Sequence, residues 1–399
     1  MQPSDFGTPA EAWKRRLLVT ATKQPRPLHA NALTALRESP EWAGVLAYDE
    51  FALVSMAMRP PPWVRTNGVW SPRMWSDHDD ALACEWLQQH DIAVSVNVAA
   101  KAAETAAREK TFHPIRDYLD GLKWDGVPRV ATFAHKYLGA ESTAYHKAVG
   151  KCMFVSAVAR IKQPGCKVDH AVILEGKQGA RKSTVIEALF TPWFSDDLAE
   201  LGTKDAAMQM RVAWGIEIAE LASMQRGEIE KVKAFITRKI DIFRPPFGAR
   251  IIHVPRQSVF VGSTNAETYI KDETGGRRFW PVECGTIDAD AVARDKDQFW
   301  AEAVRLYDDS TKWWLTDTGD IAAARTEQEG RRVPDEWEPA IKDFVEPKDT
   351  VTVGEILSEV FYIERAKWAQ PEQNRVSRCL TTLGWKRGWR HDGRCYKRK

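Results

Sequence analysis

The chain has 399 residues, of which 44% are hydrophobic and 28% charged, and its formal net charge is +2. This composition fits a soluble globular protein of two or three domains, and near-neutrality leaves any nucleic-acid binding to local patches. No apolar run approaches the roughly 20 residues needed to span a bilayer, the N-terminus lacks a signal layout, and the six cysteines are scattered without a C-x-x-C pair. A membrane protein is thereby excluded, a zinc site or disulfide framework is argued against, and a reducing bacterial cytoplasm is expected.

Residues 1–110 read as a helical, partly polar accessory domain, broken at Arg59-Pro-Pro-Pro-Trp63. Asp77, Asp79 and Asp80 precede the apolar stretch Ala81–Leu87. Acids there favour the dipole at a helix start, and that reading outweighs a metal site. Residues 111–165 form a helical lead-in, closed by the breaker Pro164-Gly165. From 166 to 332, apolar runs alternate with helical patterns, as in a parallel α/β sheet. A polar linker near Pro334 precedes a small basic domain, 335–399.

The segment Leu174-Glu-Gly-Lys-Gln-Gly-Ala-Arg-Lys-Ser-Thr184 follows the strand-like run Ala171–Leu174 and precedes the helix-like run Val185–Phe190. Strand, glycine loop, Lys-Ser, helix is the layout of a phosphate-binding P-loop. Gly176, Gly179 and Ala180 would let backbone N–H groups close on a phosphate, with the helix N-terminus adding positive charge. Lys182 would reach the β- and γ-phosphates of ATP, Ser183 would hold Mg²⁺, and Thr184 completes the loop. Arg181 departs from the pattern, which has glycine there. An ordinary solvated turn is the alternative.

Three further pieces follow in order. The strand candidate 212–221 carries Glu217 and Glu220, which suit Mg²⁺ ligation and activation of the attacking water; exposed acids at a strand end are the alternative. The strand candidate 258–265 ends in Asn265, placed as a γ-phosphate sensor in ATPases with an additional strand, or as a turn residue. Arg277 and Arg278 follow two glycines and suit a cationic finger crossing a subunit interface, or a solvated turn. Between these strands, residues 237–256 read as a hairpin around Pro245-Pro246-Phe247-Gly248. Its Arg244, Phe247, Arg250, His253 and Arg256 combine cations with rings, which is how single-stranded DNA is gripped.

Near the C-terminus, helices are expected at 351–365 and 373–383, then a hairpin formed by 385–390 and 394–397 around Asp392-Gly393. This suggests a winged-helix-like module presenting Arg375, Arg378, Lys386, Arg387, Arg390 and Arg394 to DNA. A basic tail that only aids solubility is the alternative.

The ordered set, with Tyr118–Gly126, Lys233–Thr237, Asp241–Phe247, Gly262–Asn265 and Thr274–Val282, resembles the virulence-associated E family of phages and mobile elements, related to superfamily 3 primase-helicases. The resemblance implies an AAA+-like ATPase using ATP and Mg²⁺. It implies assembly as a ring, commonly a hexamer, that moves on single-stranded and forked DNA. Glu217 and Glu220 would be the Walker B acids, Asn265 the sensor, Arg277 or Arg278 the finger, and the hairpin would line the channel. With no metal-binding acid pair upstream, the chain reads as a helicase served by a separate primase. The expected function is an ATP-dependent DNA helicase acting in replication. The alternative is a nucleotide-dependent DNA-binding assembly switch, which Arg181 favours by slowing hydrolysis; a small-molecule kinase would need neither the arginine pair nor the basic modules.

Overall fold

In the computed structural model, the described residues are 9–65, 68–197, 203–221, 223–245, 250–270, 276–391 and 393–398. The first layer holds α1 (His29–Glu38), β1 (Leu46–Asp49), β2 (Val54–Ala57), β3 (Arg73–Met74), α2 (Asp77–Gln89), α3 (Val96–Ala107) and β4 (Thr111–Phe112). Its strands form a four-stranded sheet, order β3-β2-β1-β4. The helices expected of this region are joined by a small sheet that the sequence reading did not anticipate. Strands of two to four residues are too short to display a period-2 pattern against flanking helices. The acids behave as a helix start. Ser76 and Asp79 form a capping box, and buried Asp79 pairs with Arg73 at 2.6 Å.

The lead-in comprises α4 (Pro114–Gly121), α5 (Phe133–Leu138) and α6 (Ala144–Lys162). Helix α6 is buried along nearly its whole length. Gly150 is required there, because a Cβ would lie 2.6 Å from the carbonyl oxygen of Val130.

The central unit runs β5 (Ala171–Glu175), α7 (Lys182–Phe190), β6 (Phe194–Ser195), α8 (Lys204–Gln209), β7 (Gly215–Ile218), α9 (Arg226–Ile236), β8 (Ile240–Phe243), β9 (Ile252–Pro255), β10 (Val259–Thr264), β11 (Phe279–Glu283), α10 (Ala289–Asp308) and α11 (Thr318–Gly330). Five strands form a parallel sheet, order β11-β5-β10-β7-β6. The strands read as continuous apolar runs because both faces are covered. Val172 and Leu174 face a core shared with α6, α7 and α10, whereas Ala171 and Ile173 face one shared with α9. The strand expected at 212–221 is confined to Gly215–Ile218. Gly215 is needed because a Cβ would meet the Phe190 ring at 2.0 Å. The accessory layer docks on this unit through Arg211, whose Nη2 donates to the carbonyls of Ala52 (2.7 Å) and Leu53 (2.9 Å).

Strands β8 and β9 pair antiparallel, Ile240 opposite Pro255 through Phe243 opposite Ile252, as expected of the hairpin. The DNA-contact reading of Arg256 is overturned. It is 2% exposed, its Nη2 lies 2.6 Å from Asp241, and its Nη1 donates to the Phe235 carbonyl. A cation so enclosed serves the fold.

The C-terminal module has α12 (Glu338–Val345), β12 (Thr350–Val351), α13 (Val353–Glu359), α14 (Gln370–Thr382), β13 (Lys386–Arg390) and β14 (Gly393–Lys397). Val376 and Leu380 reach the core of the module, with Leu383 packed against it. The helix expected to 365 ends at Glu359. A short strand, β12, adds a third member to the hairpin, order β12-β14-β13. The arrangement of helices and basic hairpin is winged-helix-like.

Asp241→Ala is expected to destabilise the protein by about 3–5 kcal/mol, because Arg256 is left buried and uncompensated. Urea denaturation measures this, and Asp241→Leu combined with Arg256→Met should recover much of the loss.

Candidate functional site

Strand β5 delivers the chain to the loop 176–181, and helix α7 begins at Lys182. Gly176 (φ +144°) and Gly179 (φ +80°) hold backbone angles that side chains rarely adopt. Arg181, the departure from the motif, has φ +66°. An L-residue in that region costs about 1–2 kcal/mol, yet the loop keeps the turn that glycine ordinarily makes. The guanidinium swings outward and pairs with Asp290 of α10 at 2.8 Å. Arg181 therefore occupies the glycine position without filling the loop.

Lys182 is 7% exposed. Its Nζ donates to the carbonyls of Gly176 (2.8 Å) and Lys177 (2.9 Å) and to Oδ1 of Asn265 (2.8 Å). Burial lowers the pKa of this amine. Asn265 follows the end of β10, so a lysine and an amide 83 residues apart in the chain meet over the loop. Ser183 Oγ donates to Oε1 of Glu217 at 2.7 Å, and Ser263 Oγ donates to the same oxygen at 2.5 Å. Glu217 is 2% exposed at the centre of this cluster. A hydroxyl and a carboxylate are hard oxygen donors of the kind Mg²⁺ takes. Glu220 lies just past β7, exposed, with φ +53°. Thr184 is exposed beside Ser183.

Several contributors escaped the sequence reading. Ser263 lies inside the Gly262–Asn265 string and alternates onto the face of Glu217. Glu175, the last residue of β5, accepts from Tyr269 Oη (2.7 Å) and from Arg331 Nη2 (2.9 Å). Arg331 lies in a cleft of about 740 Å³ together with Gly176, Asn265 and Cys284. Nothing local marks Glu175 or Arg331, because their pairing joins positions 156 residues apart.

Arg277 and Arg278 are not brought to this site. They immediately precede β11, whose Phe279 pairs with Ala171 at the start of β5. The P-loop follows the other end of β5, about 13 Å away along the strand. On the hairpin, Arg244, Arg250 and His253 are exposed, and Phe247 lies outside the described residues. In the C-terminal module, Arg375 pairs with Asp335 at 2.8 Å and lies 4.3 Å from the Trp337 ring. Arg390 pairs with Glu355 at 2.8 Å. These two brace the module. Lys386, Arg387 and Arg394 are exposed and Arg378 is half-buried.

A strand inserted between the P-loop strand and the acidic strand, with Lys, Ser, Glu and Asn converging at their ends, defines a P-loop NTPase of the additional-strand type. The virulence-associated protein E-like domain matches residues 119–333, more than half of the chain. The chain belongs to that family. No curated protein matches. Among solved structures, the apo NrS-1 C-terminal region (305–718) is similar with 13% identity and a TM-score of 0.46, covering 88% of this chain and 95% of that one. Its A form is similar with 12% identity and a TM-score of 0.43, covering 89% and 96%.

Arg181→Gly is expected to retain nucleotide affinity and to shift stability by no more than about 1 kcal/mol. Relief of left-handed strain is offset by the added freedom of the unfolded chain. Titration with a fluorescent ATP analogue and thermal unfolding check both halves.

Proposed function

We propose that the chain is an ATP-dependent DNA helicase of a phage or mobile element, working as a ring, commonly hexameric, on single-stranded and forked DNA. The observation that carries this reading is the convergence of Lys182, Asn265, Ser183 and Glu217 on one loop, with the arginine pair at the opposite end of the same sheet. Lys182 would bind the β- and γ-phosphates of ATP, and Ser183 and Glu217 would hold Mg²⁺, which would neutralise phosphate charge. Asn265, already bonded to Lys182, would sense the γ-phosphate. Glu220 would accept a proton from the attacking water. Arg277 or Arg278 cannot serve the chain's own loop and would stabilise charge on a neighbour's nucleotide.

The exposed Arg244, Arg250 and His253 would grip the DNA backbone in the channel. The module at 335–399 would add Arg378, Lys386, Arg387 and Arg394 as phosphate contacts. The units at 1–110 and 111–165 would carry the accessory and collar roles beside the ATPase at 166–332, with priming supplied by a separate protein. The switch reading, in which nucleotide only sets assembly, drew its weight from Arg181. The left-handed backbone and outward guanidinium of that residue favour turnover instead.

Lys182→Ala is expected to cut ATP hydrolysis by at least about 100-fold, since transition-state charge loses its partner. A phosphate-release assay with and without single-stranded DNA tests this. Turnover that rises with DNA and disappears in the variant supports the motor; nucleotide binding without turnover in the unmodified protein favours the switch. Arg250→Ala is expected to weaken single-strand binding and to lower the slope of log affinity against log salt by about one, as read by anisotropy across a salt series.

A further inference from the structure

At the end of the central sheet remote from the P-loop lies a cavity of about 690 Å³, within the range of small-ligand sites. Trp280, Trp313 and Trp314 supply its apolar wall, and Lys239, Arg277 and Arg278 its cations. The wall is held firmly. Trp313 Nε1 donates to the Lys167 carbonyl at 2.9 Å, and Trp280 Nε1 to the Arg277 carbonyl at 3.2 Å. His170 lies flat on Trp280, with centroids 3.8 Å apart and planes 5° apart. Trp314 meets Trp313 edge-on at 5.2 Å and remains 43% exposed.

The polar groups of this cavity are poorly satisfied by the protein itself. Lys167 is paired with Asp169 at 3.1 Å. Among the described residues no carboxylate pairs with Lys239, Arg277 or Arg278. Buried Nε of Arg278 and Nε2 of His170 have no hydrogen-bond partner among them either. Burial holds the His170 imidazole down to about 4, so it is neutral. The cavity thus offers cations that no carboxylate among the described residues pairs, and an exposed indole. Cations for phosphate and rings for bases are the combination that binds nucleotides of a single strand.

The cavity is also continuous with the hairpin. Lys239 immediately precedes β8, and its carbonyl accepts from Arg256 N at 2.8 Å; the Arg256 carbonyl accepts from Gly165 N of the cavity at 2.9 Å. We infer that this cavity is a second nucleotide-binding site, taking one nucleoside phosphate unit of single-stranded DNA. The base lies against Trp314 and the phosphate on Lys239, with the arginine pair left to the neighbour's nucleotide. The inference extends the DNA-binding reading above but stands on different residues.

The test uses the full chain without ATP and a fluorescein-labelled oligothymidylate. Trp314→Ala should weaken binding roughly tenfold or more, and Trp314→Phe should restore most of the affinity. Crosslinking of a strand carrying 5-iododeoxyuridine should label the peptide containing Trp313 and Trp314, competed by unlabelled strand and not by ATP. Unchanged affinity in Trp314→Ala overturns the inference. So does a crosslink competed by ATP alone, which would make the cavity a site for free nucleotide or for that of a neighbouring subunit. If Trp314→Ala binds normally while Arg250→Ala binds weakly, the cavity assignment fails and the helicase reading stands.

Discussion

The chemistry of this protein depends on strand β10 lying in parallel register between β5 and β7. Gly262 is opposite Ile173 on one side and Ile218 on the other. A Cβ at that glycine would lie 2.6 Å from Ile173 Cδ1 and 2.9 Å from Leu221 Cδ1. The close approach fixes where the three strands end. Lys182, Asn265, Glu217, Ser183 and Ser263 then meet without any long reach. A slip of one residue would turn Ser263 and Glu217 to opposite faces. It would also leave Lys182 buried without the amide that now accepts from it, a costly arrangement for an ammonium.

The two ends of the sheet differ in charge. Around the P-loop, acids such as Glu283 and Asp290 are mixed with Lys177, Arg181, Lys182 and Arg331, whereas Lys239, Arg277 and Arg278 gather where β5 and β11 begin. The two candidate sites also differ in kind: the loop offers backbone, one lysine and hard oxygens, and the far end offers cations set among tryptophans.

Much of the candidate site was legible in the sequence because its parts are local. A glycine loop between an apolar strand and a helix is read within a dozen residues, and the acid, amide and arginine pair each sit at the end or start of a strand-like run. The candidate DNA-contact residues were less legible. Arg250 and Arg256 look alike in sequence, yet one is exposed and the other is enclosed by Asp241 and the Phe235 carbonyl. Arg375 and Arg390 likewise bind acids of their own module. Which cations remain available depends on partners far away in the chain.

Residue order alone determined the parallel α/β class, the P-loop, and the succession of acid, amide and arginine pair, because apolar periodicity and glycine placement are short-range properties. Tertiary structure decided the rest. It showed that Arg181 takes the left-handed turn glycine would take and that its side chain leaves the loop open. It joined Glu175 to Arg331 and gathered Trp280 and Trp314 with Lys239 into one cavity. These outcomes depend on which strand lies beside which, and that is settled only when distant segments bury their apolar faces together.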